Sequence, residues 1–268
     1  MTAVAWPGQE RLATVLAEAA DRAAPFPGIG PLPDRPITLI LAPTRQRFDS
    51  VTRGRLPSWS DGAAFPDQGV VVLLTAGPPD RLTASLRHEL AHLVLRWHVG
   101  RVVPRWFEEG YAAVAAREWD RFEALRVNWT LARGARATLD QVDQALRGAE
   151  RDVADAYALA TTAVLLLERW GGPRGLGPLL ANARTAPTFD AALRTTYGVT
   201  EADFEERWQE HLRARYGWLA WGAAAGLFWG AAGVLLVWLA RRRRRRDRVR
   251  RAGLDAGPTV SGDDAPTP

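Results

Sequence analysis

The chain of 268 residues has no cysteine and no lysine, only four histidines, and no methionine beyond Met1. Without cysteine there is no disulfide framework and no thiolate for a metal. Any bound metal must therefore rest on imidazole and carboxylate. Without lysine, all 35 cations are arginines. A net charge of +5 invites a nucleic-acid reading, but its distribution removes it. Residues 1–217 carry 26 arginines against 26 aspartates and glutamates, so the surplus sits in RRRRRRDRVRR, residues 241–251. The body has no global basic field, and nucleic acid is not an expected partner.

What is present is enough apolar sequence to fold. Hydrophobic residues make up 47% of the chain, and its length suits one sizeable domain with a core, or at most two small ones. WLAWGAAAGLFWGAAGVLLVWLA, residues 218–240, runs without a charge. At about 1.5 Å per residue it spans roughly 34 Å, the length of a membrane-crossing helix. Trp218, Trp221 and Trp238 stand at its ends, where interfacial aromatics belong. Gly222, Gly226 and Gly230 form a GxxxGxxxG line that could pack two copies into a homodimer. The arginines that follow place the C-terminal tail in the cytoplasm and residues 1–217 outside, a single-pass arrangement with lipid as a partner. Residues 241–268 thus read as an Arg-rich juxtamembrane run and a disordered tail. Residues 1–24 do not read as a signal sequence, because Glu10, Arg11 and Glu18 interrupt any apolar run. Leu12, Val15, Leu16, Ala19 and Ala23 instead follow a helical period. An outward domain then calls for a start further upstream, the favoured reading, or for export by another route; the third alternative is a cytoplasmic domain against the arginine rule.

Along residues 1–217 the pattern changes once. Pro25 to Pro36 is a Pro/Gly-rich link, and ITLILA (37–42) and GVVVLL (69–74) read as buried strands. Thr83 or Asp80 is expected to cap a helix running to about His98, with Gly100 as its stop. A second helix is expected from Pro104. Beyond it every strong pattern is helical, with capping boxes at Thr138-x-x-Gln141 and Thr200-x-x-Asp203 and one long helix from Asp152 to Trp170. The expected class is α+β: a small N-terminal sheet with the HExxH helix, then an α-helical part, then one transmembrane helix.

The chemistry concentrates in RHELAHLVLRWHVGRVVPRWFEEGYAA, residues 87–113. Residues four apart on a helix differ by about 40° of rotation and 6 Å of rise. His88 and His92 can therefore present both imidazoles to one metal ion. Glu89, turned about 100° from His88, stands beside the ion and can move a proton from water to a leaving amine. The third ligand is open among His98, Glu108 and Glu109. His98 would converge only if the helix broke near Leu95, and leucine resists the φ > 0 turn that glycine permits. If the helix runs on, His98 lies about 240° round from His92. Glu108 and Glu109 lie on the next helix, after a turn at Gly100–Pro104.

HELAH followed by WFEEGYA resembles the gluzincin metallopeptidases, the thermolysin-like and aminopeptidase N-like families, and most closely the small peptidase MA-like proteins. Their pattern is HExxH, a spacer, then W-[LF]-x-E-G-[FY]-A. The resemblance extends in outline through Ala156–Gly171 and Phe189–Trp208, over roughly residues 10–215, although only the two motifs are specific. It implies zinc held by His88, His92 and Glu109, with Glu108 at the variable position. It implies Glu89 as general base, and it suggests Tyr157, or less readily His211, as a donor to the oxyanion. It also implies that an edge strand pairs with extended substrate, a role expected of Val70, Val71, Val72 and Leu73. The G-x-M-E-N segment of the aminopeptidase branch is absent, which favours an endopeptidase. The expected function is a membrane-anchored zinc metallopeptidase acting on peptides or proteins. The rival readings are a catalytically inactive metal-binding homologue serving as an anchored interaction domain, and a structural membrane protein that merely tolerates its histidines.

Overall fold

The computed structural model describes residues 1–54, 56–77, 79–118, 126–128, 137–148, 150–216, 229, 233 and 235–238. Its elements in chain order are β1 (Thr2–Val4), α1 (Glu10–Asp21), β2 (Thr38–Ala42), α2 (Arg45–Thr52), β3 (Gly62–Phe65) and β4 (Val70–Leu74). There follow α3 (Pro79–Val99), α4 (Arg105–Ala116), α5 (Leu139–Ala145), α6 (Glu150–Trp170), α7 (Gly177–Ala183), α8 (Phe189–Tyr197) and α9 (Glu201–Tyr216). The class is α+β, a small four-stranded sheet with helices making up most of the rest.

The unbroken apolar run of β4 is explained by its place. The strand order is β1-β2-β4-β3, so β4 is parallel to β2 on one side and antiparallel to β3 on the other. Its side chains alternate between two cores. Val71 and Leu73, with Leu39 and Leu41 of β2, enter the main core against the helices. Val72, with Ala42, Ala63 and Phe48 of α2, forms a smaller core on the opposite face. A strand buried on both faces and paired on both edges reads as a continuous hydrophobic run.

β2 and β4 lie where the sequence places strands. The polar segment between them holds two further elements, α2 and β3. Thr44 caps α2, its hydroxyl accepting from the Arg47 amide at 3.3 Å. Pro66–Gly69 turns β3 into β4, with Gly69 at φ 63°. Helix α3 begins earlier than a cap at Thr83 or Asp80 would allow. It starts at Pro79, a first-turn residue whose φ suits a helix, and runs unbroken through Leu95 to Gly100, where φ is 75°. On α1 the buried residues are Ala13, Leu16 and Ala20, while Val15 is exposed, so the buried stripe is displaced from the expected one. Both capping boxes are present, and the long helix runs from Glu150 to Trp170.

The later helices brace α4. Trp106 stacks on Phe204 of α9 with ring centroids 5.7 Å apart, and Phe107 meets Phe189 of α8 at 4.7 Å. The Trp106 amide donates to Asp143 at 2.6 Å and its indole N–H to Glu201 at 3.1 Å. This aromatic packing ties the position of α4 to residues nearly a hundred positions downstream.

Residues 1–218 form one compact unit and 219–268 another. In the second, residues 229, 233 and 235–238 are helical, and Trp229, Leu235, Leu236, Val237 and Trp238 are exposed. No helix among the described residues is long and apolar enough to cross a membrane. Most of the 218–240 span, the Gly222/Gly226/Gly230 line and the whole arginine run lie outside the described residues.

Candidate active site

α3 and α4 meet so that His88, His92 and Glu109 converge. One ligand atom from each lies within 4.8 Å of the others. Glu109 Oε2 is 3.5 Å from His88 Nε2 and 3.6 Å from His92 Nε2. Two ligands about 2.05 Å from an ion at a tetrahedral angle stand about 3.3 Å apart, so these separations suit a zinc-sized ion. Two neutral nitrogen donors and one carboxylate are also the donor set of catalytic zinc sites with an open position. The residues present fit a metal.

Each imidazole is held from behind. His88 Nδ1 lies 3.2 Å from Glu118 Oε2, and His92 Nδ1 lies 3.3 Å from Glu108 Oε1. Such carboxylates fix ring orientation and leave Nε2 for the metal. Glu108 therefore sits behind His92 and outside the His88–His92–Glu109 cluster. Glu118 is a residue that reading the sequence missed. It is brought back toward α3 by the end of α4, where Arg117 adopts the left-handed conformation at φ 59°. The Glu118 amide then bonds the Ala113 carbonyl at 3.1 Å, closing a Schellman turn. The arginine at the left-handed position, usually glycine, hides this turn in the sequence.

Arg105 approaches the other oxygen of Glu109, with Nη2 3.4 Å from Oε1. Burial raises the cost of ionising Glu109. His92, His88 and Arg105 outweigh that, and its pKa is lowered to about 2. Burial likewise opposes charge on His88, but Glu109 and Glu118 raise its pKa well above the usual imidazole value. Burial also works against a charged His92, and Glu109 and Glu108 again push the pKa upward. In the absence of metal the carboxylates thus stabilise protons on the two rings.

Glu89 and Tyr157 complete the cleft, whose volume is about 230 Å³. Burial, with Glu109 and Glu118 adding to it, raises the pKa of Glu89 against the opposing pull of His92 and His88. Tyr157, near the start of α6, places its ring centroid 6.1 Å from His88. Burial and then the nearby Glu109 raise its pKa, so the hydroxyl stays protonated and can donate. His98 stays on the intact α3 beside Arg184, and His211 lies on α9 near Arg169 and Arg215; neither joins the ligand cluster.

The strand expectation needs correction. Val70, Val71, Val72 and Leu73 lie on β4, whose two edges are both paired, so their backbone has no free edge for substrate. The edge strand beside the site is β3, and Gly62, Ala63, Ala64 and Phe65 line the cleft with His88 and Glu89. The Leu74 amide donates to the Asp61 carbonyl at 2.8 Å. Hydrogen-bonded pairs alternate along an antiparallel ladder, so Ala63 and Phe65 also face β4, and the N–H and C=O of Gly62 and Ala64 point outward.

The model of the Peptidase MA superfamily matches residues 27–214, more than two thirds of the chain. The chain belongs to that superfamily. The match includes the sheet from β2 onward, both motif helices, the bracing helix α8 and most of α9. No match is found among curated proteins.

Proposed function

We propose that the chain is a zinc-dependent metallopeptidase that hydrolyses peptide bonds in peptides or proteins. The observation that carries this reading is the convergence of His88, His92 and Glu109 beside Glu89 in one cleft bordered by β3, the edge strand of the sheet among the described residues. A zinc ion held by those three residues would supply a Lewis acid that polarises the scissile carbonyl and eases deprotonation of water.

The remaining steps belong to the chain's own residues. The outward backbone groups of Gly62 and Ala64 pair with an extended substrate. Glu89 takes a proton from the attacking water and returns it to the leaving amine, a role suited to a carboxyl whose pKa is raised. The Tyr157 hydroxyl donates to the oxyanion of the tetrahedral intermediate. Glu108 and Glu118 hold the imidazoles, and Arg105 holds Glu109. An extended edge suits a chain running through the cleft, so we assign an endopeptidase. We further propose that residues 218–240 anchor the domain outside a membrane, with the arginine run on the cytoplasmic side. This rests on the uncharged length, the terminal tryptophans and the adjoining charge.

The experiment is Glu89→Gln in the full chain. Zinc content should stay near one per chain while peptide hydrolysis falls by about 10³-fold, within the range of general acid–base contributions. Hydrolysis undiminished in that variant, or a parent protein that takes up no zinc, would sink the reading.

A further inference from the structure

Gly62 has no conformational reason to be glycine. It is not among the residues with positive φ, so its backbone is open to any L-residue. Strands disfavour glycine, and one inside a strand often marks a place where another group comes very close. Here that group can be named. A Cβ on Gly62 would lie 2.4 Å from Oε1 of Glu89 and 2.8 Å from both its Cδ and its Cγ. The three nearest atoms all belong to one side chain.

The geometry follows from the pleat. Ala63 points into the small core with Val72 and Phe48. Gly62 and Ala64 therefore face the other way, toward α3. On that face β3 offers a bare Cα at the level of Glu89.

We infer that Gly62 is a positioning residue for Glu89: its missing side chain leaves the slot in which the Glu89 carboxylate lies. The inference rests on the peptidase reading above for its catalytic meaning, but the contact itself does not. A methyl group in the slot displaces the carboxylate rather than the strand, because the obstructing atoms form the end of a flexible side chain. None of its three nearest atoms belongs to His88, His92 or Glu109.

The test uses three variants of the full chain: Gly62→Ala, Glu89→Ala and the two combined. Gly62→Ala should keep zinc near one per chain and KM within about twofold, while kcat falls about a hundredfold, the effect of misplacing a reacting group by about 1 Å. Its Tm should fall below that of the parent. Glu89→Ala removes all three obstructing atoms, so in that background the same methyl should leave Tm unchanged or raise it. Equal losses of Tm in both backgrounds would overturn the inference, because the glycine would then serve the strand. A raised KM with an intact kcat would also overturn it, because the glycine would then serve the substrate. A parent that binds zinc but cleaves no peptide would refute the peptidase reading instead, and the Tm comparison would still decide the contact.

Discussion

A methyl group at Gly62 and one at Gly110 would meet different kinds of obstacle. At Gly62, on the strand side of the cleft, the obstacle is the tip of Glu89. At Gly110, on the helix side, a Cβ would lie 2.5 Å from the Ala160 carbonyl oxygen and 2.7 Å from Val164 Cγ2. One neighbour can swing aside; the other is helix backbone. Gly110 adjoins Glu109, and Ala160 lies one turn beyond Tyr157 on α6. The contact of α4 with α6 thus sets the distance between Glu109, a candidate metal ligand, and the tyrosine. The helix side of the site is a rigid brace, and the strand side is a surface made close-fitting by what it omits.

The largest effect on stability should therefore come from Gly110→Ala. Overpacking against backbone costs at least the upper part of the usual range of roughly 1–3 kcal/mol. Moving α4 also moves Glu109, so zinc affinity should fall together with stability. Chemical denaturation and zinc titration of the same preparation would check both. A variant with parental stability would mean that α4 and α6 part freely, and the contrast with Gly62 would be lost.

Glu118→Ala probes the same side more gently. Removing the carboxylate behind His88 leaves all three ligands in place but frees one ring. Loss of such a partner typically lowers metal affinity 10- to 100-fold. Competition with a chelating dye would measure it. Unchanged affinity would show that the 3.2 Å contact does not orient the ring.

The helix side was also the more legible one. His88, Glu89 and His92 are four-residue periodicity on one helix, and Leu95 tells that the helix continues past His98. Glu109 and Tyr157 required a resemblance, since nothing in their spacing alone says that α4 and α6 meet. Glu118 was hidden because its return depends on an arginine in a left-handed conformation. The strand side was read one strand too far in. Valine-rich β4 has the stronger strand signal because it is buried on both faces and paired on both edges, and that enclosure removes it from substrate. The edge strand beside the cleft, GAAF, is short and small in side chain, which weakens its signal and lets it approach Glu89. Its cue was the turn Pro66-Asp67-Gln68-Gly69 before β4. The span at 218–240 is legible as composition and lies mostly outside the described residues.

The smallest effect tests which strand carries substrate. Ala64 directs its N–H away from β4, so proline there removes a donor that the sheet does not use. Proline is tolerated on edge strands in that orientation, and the extended conformation it favours in the preceding residue is one Ala63 already has. Ala64→Pro should therefore keep the fold and near-stoichiometric zinc. One backbone hydrogen bond to substrate is worth about 0.5–1.5 kcal/mol, so KM for an extended peptide should rise roughly two- to tenfold. The change in kcat should be small, because Ala64, unlike Gly62, already carries a Cβ and leaves Glu89 where it is. A split between the two positions, kcat lost at Gly62 and KM raised at Ala64, would separate the two jobs of one strand: spacing the base and holding the chain to be cut. If neither parameter moves at Ala64, substrate does not lie along β3, and the strand side of the cleft acts through Gly62 alone.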